Sequence, residues 1–145
     1  MEIRELAEKY KLTKDDFWNL KKGAVSVWII KHDACEKIAS IEKIKIEKIK
    51  VLNSEWNFCR LLIIASKGEV KVMTIGEALL NTDEGIKQTA KGTTKKGNCE
   101  SQYIGSMAEK RGVDRAVLKL IDAYQYGIYS DAEADSFEKK DYQKE

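Results

Sequence analysis

Alternation of apolar and charged residues between positions 43 and 74 constrains the fold of this 145-residue chain more than any other feature. Isoleucine and lysine alternate with the period of two that is typical of a strand, and the phase slips once, at Glu47, as it does at a β-bulge. Short polar turns separate this run from two further apolar runs. We predict strands at 43–52, 56–66 and 70–76, which short turns would join into an antiparallel meander.

Helical periodicity is found on both sides of the predicted meander. Apolar residues recur at i, i+4, i+8 and i+11 over 30–41, which predicts a helix after a strand at 24–30. Residues 103–126 show the clearest helical pattern in the chain, and residues 2–11 can form a short helix. Because the chain contains no proline to mark a helix end, one helix over 32–50 is the main alternative to the first strand of the meander.

These elements predict an α+β fold in the order α-β-β-β-α, in which the long C-terminal helix packs on an antiparallel β-meander. The length fits one domain with a hydrophobic core. We predict that residues 1–129 form this domain, with a long mobile loop near 81–102, where periodicity vanishes and glycine, threonine and lysine accumulate. Residues 130–145, the acidic segment, begin with Ser130 and Glu133 in the pattern of a capping box, which predicts a last helix.

The formal net charge of +2 is unevenly distributed along the chain. The acidic segment holds six acids and three lysines, a net charge of −3, so residues 1–129 carry +5. A basic body joined to an acidic tail favours a polyanion as partner. The alternative explanation is that an AT-rich genome simply favours lysine and isoleucine.

Several function classes find no support in the sequence. The longest apolar stretches are far shorter than the ~18 residues of a membrane span, and the charged residues 1–10 do not resemble a secretory signal. Cys35, Cys59 and Cys99 lack the spacing of a disulfide framework or a zinc site, which favours a reducing, cytoplasmic location. No phosphate-binding loop is present, and His32 has no suitably placed nucleophile. We therefore expect no enzyme, and no bound metal or cofactor.

Three groups of basic residues are candidates for contacts with nucleic-acid phosphates. In the long helix, Arg111, Arg115 and Lys119 recur at i, i+4 and i+8 opposite the apolar side, although solvated helix faces carry similar stripes. Asp114 sits at the margin of the apolar side, where a charge should be paired, and Lys110 is its predicted partner. The predicted DNA-binding set is completed by the following lysines: Lys110 on the helix, Lys43, Lys45, Lys48 and Lys50 on the outer face of the first strand, and Lys91, Lys95 and Lys96 in the loop.

Four stretches of the sequence resemble the single-strand DNA annealing proteins of the Rad52-like group that phages and prophages encode. They read LTKDDFWNLKKG, VWIIKHDACEKIA, MTIGEALLN and MAEKRGVDRAVLKLIDAYQYGIYSDAEADSF, and together they are spread over about residues 12–137. The sharpest motif is the helical stretch from Ala108 to Leu120, whereas the other three stretches are supportive.

The resemblance implies a β-β-β-α core, assembly of identical subunits into a ring or filament, and annealing of complementary DNA strands without ATP. Carried over residue by residue, it assigns Lys110, Arg111, Asp114 and Arg115 to the site. It also implies a phage- or prophage-encoded protein in the cytoplasm of a bacterial host, with DNA recombination and repair as its setting. The acidic segment could contact a host or phage replication protein there. The chain departs from the group at Gly112, where a small helix-forming residue is usual.

Two other function classes stay open at the level of sequence. The order α-β-β-β-α is also that of a double-stranded RNA-binding domain. A small virus-encoded inhibitor that binds a host protein through its acidic tail is compatible with the sequence as well. Relative affinity for single strands and duplex RNA separates the first two classes, and a stoichiometric protein complex without nucleic-acid affinity would identify the third.

Overall fold

The computed structural model describes residues 3–22, 25–80, 86–89, 92–95 and 103–130. The elements in chain order are α1 (Ile3–Tyr10), β1 (Phe17–Lys22), β2 (Val25–Ile30), α2 (His32–Glu42), β3 (Lys45–Glu55), β4 (Phe58–Lys67), β5 (Val70–Leu79), β6 (Ile86–Thr89), β7 (Gly92–Lys95), α3 (Ile104–Leu120) and β8 (Ile128–Ser130). Single 3₁₀ turns lie at Lys14–Asp16 and Ala123–Tyr126. The predicted α+β class is confirmed.

Strands β3, β4 and β5 form the antiparallel meander that the alternation of residues predicts. The register of β3 against β4 shifts between Ile46 and Lys48, so the bulge predicted at Glu47 is confirmed. Lys43 adopts a left-handed conformation, with φ of 55°, and ends α2. The alternative of one helix over 32–50 is therefore wrong.

Helix α3 packs on one face of the meander with its backbone close to β5. Gly112 of α3 faces Gly76 of β5, and a Cβ atom on Gly112 would lie 2.6 Å from the Ile63 side chain. The Thr74 hydroxyl donates a 2.7 Å hydrogen bond to the Gly112 carbonyl across the same contact. Glycine is poor in helices, but here its missing side chain lets two backbones approach. This contact explains why a glycine stands in the middle of α3.

The other side of α3 contacts a layer that the sequence analysis did not predict. Strands β1, β2 and β8 form a second sheet, in which β8 pairs in parallel with β2. This sheet, α1 and α2 enclose a core with Val117 and Leu118 of α3, whereas Ala116 and Leu120 pack on the meander. Helix α3 is thus buried between two layers. Of its three strands, the sequence analysis predicted only β2, and a strand as short as β8 carries no periodic pattern.

Two predicted elements differ from the structure, and a third is not tested by it. The helix predicted over 103–126 ends early, because Asp122 is left-handed, with φ of 58°, and a 3₁₀ turn follows it. Gly127 is also left-handed, with φ of 73°, and it caps this turn. The stretch predicted as a loop over 81–102 contains the hairpin of β6 and β7. The helix predicted beyond Ser130 lies outside the described residues.

Glu42, the last residue of α2, links three elements of the fold. Its carboxylate accepts a 2.6 Å hydrogen bond from the Tyr10 hydroxyl of α1 and lies 3.1 Å from the Lys67 ammonium of β4. The hydrogen bond from Tyr10, followed by the one from Lys67, lowers the pKa of Glu42. Burial, followed by the Glu42 carboxylate, raises the pKa of Tyr10. This cluster ties the layer of α1 and α2 to the meander.

We expect Glu42→Gln to lower the free energy of unfolding by about 2 kcal/mol at neutral pH, because hydrogen bonds to charged groups contribute about 1.5–3 kcal/mol. Since the pKa is lowered by folding, this contribution is present above the unfolded-state pKa of about 4.3 and is lost as the pH falls through the folded-state value. Urea unfolding at neutral pH and at about pH 3 measures both effects.

The difference between wild type and Glu42→Gln should therefore shrink in acid. Glu69→Gln, in the exposed turn between β4 and β5, is the matched control and should have little effect at either pH. A similar loss of stability in both variants would contradict the role assigned to Glu42.

Candidate nucleic-acid interface

The two faces of the meander differ in what covers them. Ile63 contacts α3, and alternating side chains of β4 therefore place Leu62 and Ile64 on the opposite face. Ile75 and Met73 pair with these two residues from β5 and are 43% and 60% exposed. Among the described elements, only α3 packs extensively on the meander. We call the face opposite α3 the open face.

Three of the predicted lysines lie along the β3 side of the open face. Lys48 pairs with Ile64 and Lys50 with Leu62, while Lys45 pairs with β4 at the next position of the same face. All three lysines are exposed, at the outer-face positions that the alternation predicts. Two strand spacings, about 10 Å, separate them from β5.

The arginines of the predicted helix ridge take part in the fold. Arg111 donates a 3.0 Å hydrogen bond to the Glu77 carbonyl, and Arg115 donates one to the Ile75 carbonyl. Both carbonyls belong to the edge of β5, which pairs with no second strand among the described residues. The guanidinium groups therefore satisfy backbone acceptors that a bare sheet edge would expose. The prediction that these arginines serve only as phosphate contacts is incomplete, because they also cover the edge of β5.

Beside the arginines lies a groove of about 510 Å³, which we call the edge groove. Arg115 and Lys119 supply positive charge, Tyr124 an aromatic ring, and Met73 and Ile75 exposed apolar surface. The residues that line it are Leu62, Met73, Thr74, Ile75, Arg115, Lys119 and Tyr124. The edge groove thus combines cations with apolar surface, and it shares residues with the open face.

Sequence reasoning identified the cations of the edge groove but not its apolar part. The signal was present in β5, which carries apolar residues at Val72, Met73 and Ile75 and so is apolar on both faces. A strand of that composition is typical of a sheet covered on both sides. Here one of those sides is open among the described residues, which leaves apolar surface exposed next to positive charge.

The remaining predicted basic residues are scattered. Lys43 ends α2 and so lies outside β3, and Lys110 is exposed on α3. Lys95 is the last residue of β7, whereas Lys91 and Lys96 fall outside the described residues. The structure therefore places the β3 lysines on the meander and the groove cations of α3 beside it. A contribution of the loop lysines to DNA binding stays a prediction.

Asp114 has a partner that the sequence analysis did not assign. The residue is 3% exposed, and its carboxylate lies 2.6 Å from Nδ1 of His32 at the start of α2. His32 Nε2 is 3.0 Å from the Glu36 carboxylate, one turn later. Each ring nitrogen thus faces a carboxylate, so the imidazole lies between the buried Asp114 and the exposed Glu36. His32 thus links α2 to α3 through Asp114, while Lys110, the predicted partner of Asp114, is exposed.

Other chemistry has little support in the described part of the chain. Within it, no group of three or more His, Cys, Asp or Glu side chains is placed to hold a metal ion. Cys35 and Cys59 are buried, and burial raises the pKa of Cys59, which disfavours the reactive thiolate. In the same residue ranges, no helix combines the length and the apolar character that crossing a membrane requires.

The open face and the edge groove together form the candidate interface, which residue chemistry and geometry define. No family model, no curated protein and no solved structure matches this chain.

Proposed function

We propose that the chain binds single-stranded DNA across the open face and the edge groove, and promotes annealing of complementary strands without ATP. The observation that carries this proposal is the edge groove, where Arg115 and Lys119 lie beside Tyr124 and the exposed residues of β5. Cations attract nucleic-acid phosphates, and aromatic or apolar side chains accept unpaired bases. The resemblance of residues 108–120 to annealing proteins supports the same assignment.

The lysine row of β3 offers a second line of phosphate contacts. Lys45, Lys48 and Lys50 are exposed on the open face, about 10 Å from β5 at the edge groove. A DNA strand that is held along this lysine row by its phosphates keeps most of its bases available for pairing. Its neutralised phosphates also repel a complementary DNA strand less. Pairing itself then supplies the free energy of annealing, because each stacked base-pair step contributes about 1.4 kcal/mol. No ATP is required for such a process.

Acids on the open face do not cancel this positive charge. The Glu47 carboxylate lies 3.2 Å from the Lys71 ammonium, and the Glu77 carboxylate lies 3.1 Å from Nε of Arg60. Each of these two acids is thus matched by its own cation. Glu55, which pairs with Phe58 on the same face, offsets one of the three β3 lysines and leaves two in excess. The open face is therefore net positive, as a phosphate-binding surface should be.

Lys119→Ala and Lys50→Ala should each weaken binding of a fluorescent dT oligonucleotide of about 30 nucleotides. Each lost phosphate contact should lower the log–log salt slope by about 0.7 and the affinity several-fold at low salt. Lys14→Ala, at an exposed site in the 3₁₀ turn before β1, is the matched control and should bind as wild type does. Anisotropy titrations over a range of salt concentrations measure the slopes, and thermal melts verify folding. Wild-type slopes in both site variants would contradict the proposal.

Annealing is measured by quenching between complementary oligonucleotides that carry a dye and a quencher, without ATP. We expect acceleration by the wild type and loss of acceleration in the double variant Lys50→Ala/Lys119→Ala. Duplex RNA serves as a competitor, because the path from α2 through the meander to α3, apart from the hairpin of β6 and β7, follows the element order of a double-stranded RNA-binding domain. Stronger competition by duplex RNA than by single-stranded DNA would favour that module.

Native mass spectrometry tests the ring or filament that the resemblance implies.

A further inference from the structure

The edge groove lies next to the start of the acidic segment. The ring of Tyr124, which lines the groove, is 5.7 Å from the ring of Tyr129 in β8, measured between centroids. Strand β8 ends one residue later at Ser130, which is fully buried. The chain therefore enters residues 131–145 from a fixed point beside the groove, one residue after a side chain that contacts its lining.

The acidic segment and the edge groove are complementary in charge and composition. The segment carries a net charge of −3, and three of its acids lie in the first five residues after Ser130. Those five residues reach at most about 17 Å when extended, so their charge stays close to the groove. Phe137 follows them, and its apolar side chain is complementary to the exposed apolar surface of Met73. The opposing groove charges are those of Arg115 and Lys119.

We propose that the acidic segment docks in the edge groove of its own chain and competes there with nucleic acid. Docking requires no nucleic acid, whereas the competition rests on the proposed function. Because the segment is attached to the chain, its effective concentration at the groove is of millimolar order, so weak contacts suffice for occupancy. Docked carboxylates neutralise the groove cations and lower the affinity for DNA at low salt. Added salt screens these contacts and releases the segment.

Carbodiimide crosslinking of the full chain tests docking in the absence of DNA. The reagent joins a lysine amine to a carboxylate in direct contact, so mass spectrometry should find Lys119 linked to an acid of the segment. The Lys67–Glu42 pair, at 3.1 Å, is the internal positive control. Lys119→Arg keeps the charge but removes the amine, and should abolish only the Lys119 crosslinks.

A mixture of isotopically light and heavy chains separates contacts within one chain from contacts between two copies. Crosslinks of Lys119 to the segment within one chain support the proposal. Their absence, in a sample where Lys67 and Glu42 are crosslinked, overturns it. Crosslinks found only between light and heavy chains overturn docking within the same chain.

Charge neutralisation measures the effect on nucleic-acid binding. The segment variant should raise the affinity for the dT oligonucleotide about 3- to 10-fold at low salt, and the gain should vanish at high salt. The control variant changes the same number of charges at exposed positions of α1 and α2. The segment variant is Asp131→Asn/Glu133→Gln/Asp135→Asn, and the control variant is Glu5→Gln/Glu8→Gln/Asp33→Asn.

A larger gain for the segment variant than for the control variant supports competition in the groove. Equal gains show that only net charge matters and overturn the competition. If no variant binds DNA at all, the proposed function is wrong, and the crosslinks still decide whether the segment docks.

Discussion

Gly76→Ala is expected to lower the free energy of unfolding by about 3 kcal/mol or more. A Cβ atom at this position of β5 would overlap the Ala108 carbonyl oxygen and lie 2.5 Å from the Gly112 amide nitrogen. Both atoms belong to the backbone of α3, so no change of side-chain rotamer relieves the clash. The helix would have to move away from the sheet. Overpacking costs about 1–3 kcal/mol and occasionally more, and a clash with backbone atoms belongs at the upper end of this range. For a domain of this size the loss corresponds to a fall in Tm of about 10 °C.

Gly105→Ala is the matched control for Gly76→Ala. Gly105 is exposed in the first turn of α3, and a Cβ atom there has nothing within 4 Å. Alanine should be neutral there or stabilise the helix by up to about 1 kcal/mol. Gly112→Ala should fall between the two, because its Cβ atom would mainly meet the side chain of Ile63 and alanine favours the helix. Equal Tm values for the variants at 76 and 105 would contradict the close packing of α3 on β5.

Asp114→Ala is expected to destabilise the fold by about 2–3 kcal/mol, since hydrogen bonds to charged groups contribute about 1.5–3 kcal/mol and the variant removes the acceptor that faces Nδ1 of His32. The Asp114 side chain is 4% exposed and the His32 side chain 18%, so water replaces the lost contact poorly. The substitution also removes a contact between α2 and α3, which lie 82 residues apart at this pair. Urea unfolding of wild type and variant measures the loss.

Glu36, the second acid in contact with His32, provides the control for Asp114→Ala. The Glu36 side chain is 65% exposed, so Glu36→Gln should cost less than about 1 kcal/mol, as surface pairs do. Asp114→Asn keeps an acceptor for His32 and should be milder than Asp114→Ala. A double-mutant cycle with His32→Ala isolates the energy of the pair. A cycle without coupling, or equal losses for the exposed and the buried acid, would contradict a stabilising contact between His32 and Asp114.

Arg115 shows why the choice of residue matters in testing the proposed function. Its guanidinium holds the Ile75 carbonyl at the β5 edge and also lines the edge groove. Replacing it would expose the sheet edge as well as remove a cation, so stability and binding would change together. Lys119 lies one helical turn further along the same side of α3 and is exposed. Loss of binding in Lys119→Ala therefore reports on charge at the groove with less effect on the fold.

Local periodicity determined much of this fold from sequence. The meander and its bulge at Glu47 follow from alternation of isoleucine and lysine, because a strand exposes and buries successive side chains. Helix α2 follows from apolar residues spaced by one helical turn. The row formed by Lys45, Lys48 and Lys50 follows for the same reason. Each of these features depends on neighbours a few residues apart, which the sequence displays directly.

Tertiary structure alone decided which distant residues meet. Gly76 contacts Gly112, His32 contacts Asp114, and β8 pairs with β2 across about one hundred residues of chain. No local pattern encodes such partners, because their contact depends on how whole layers pack. The edge groove arises in the same way, where the end of α3 meets the outer edge of β5. The sequence thus shows which residues are charged and where the meander and its flanking helices lie, whereas packing makes two of those charges border exposed apolar surface.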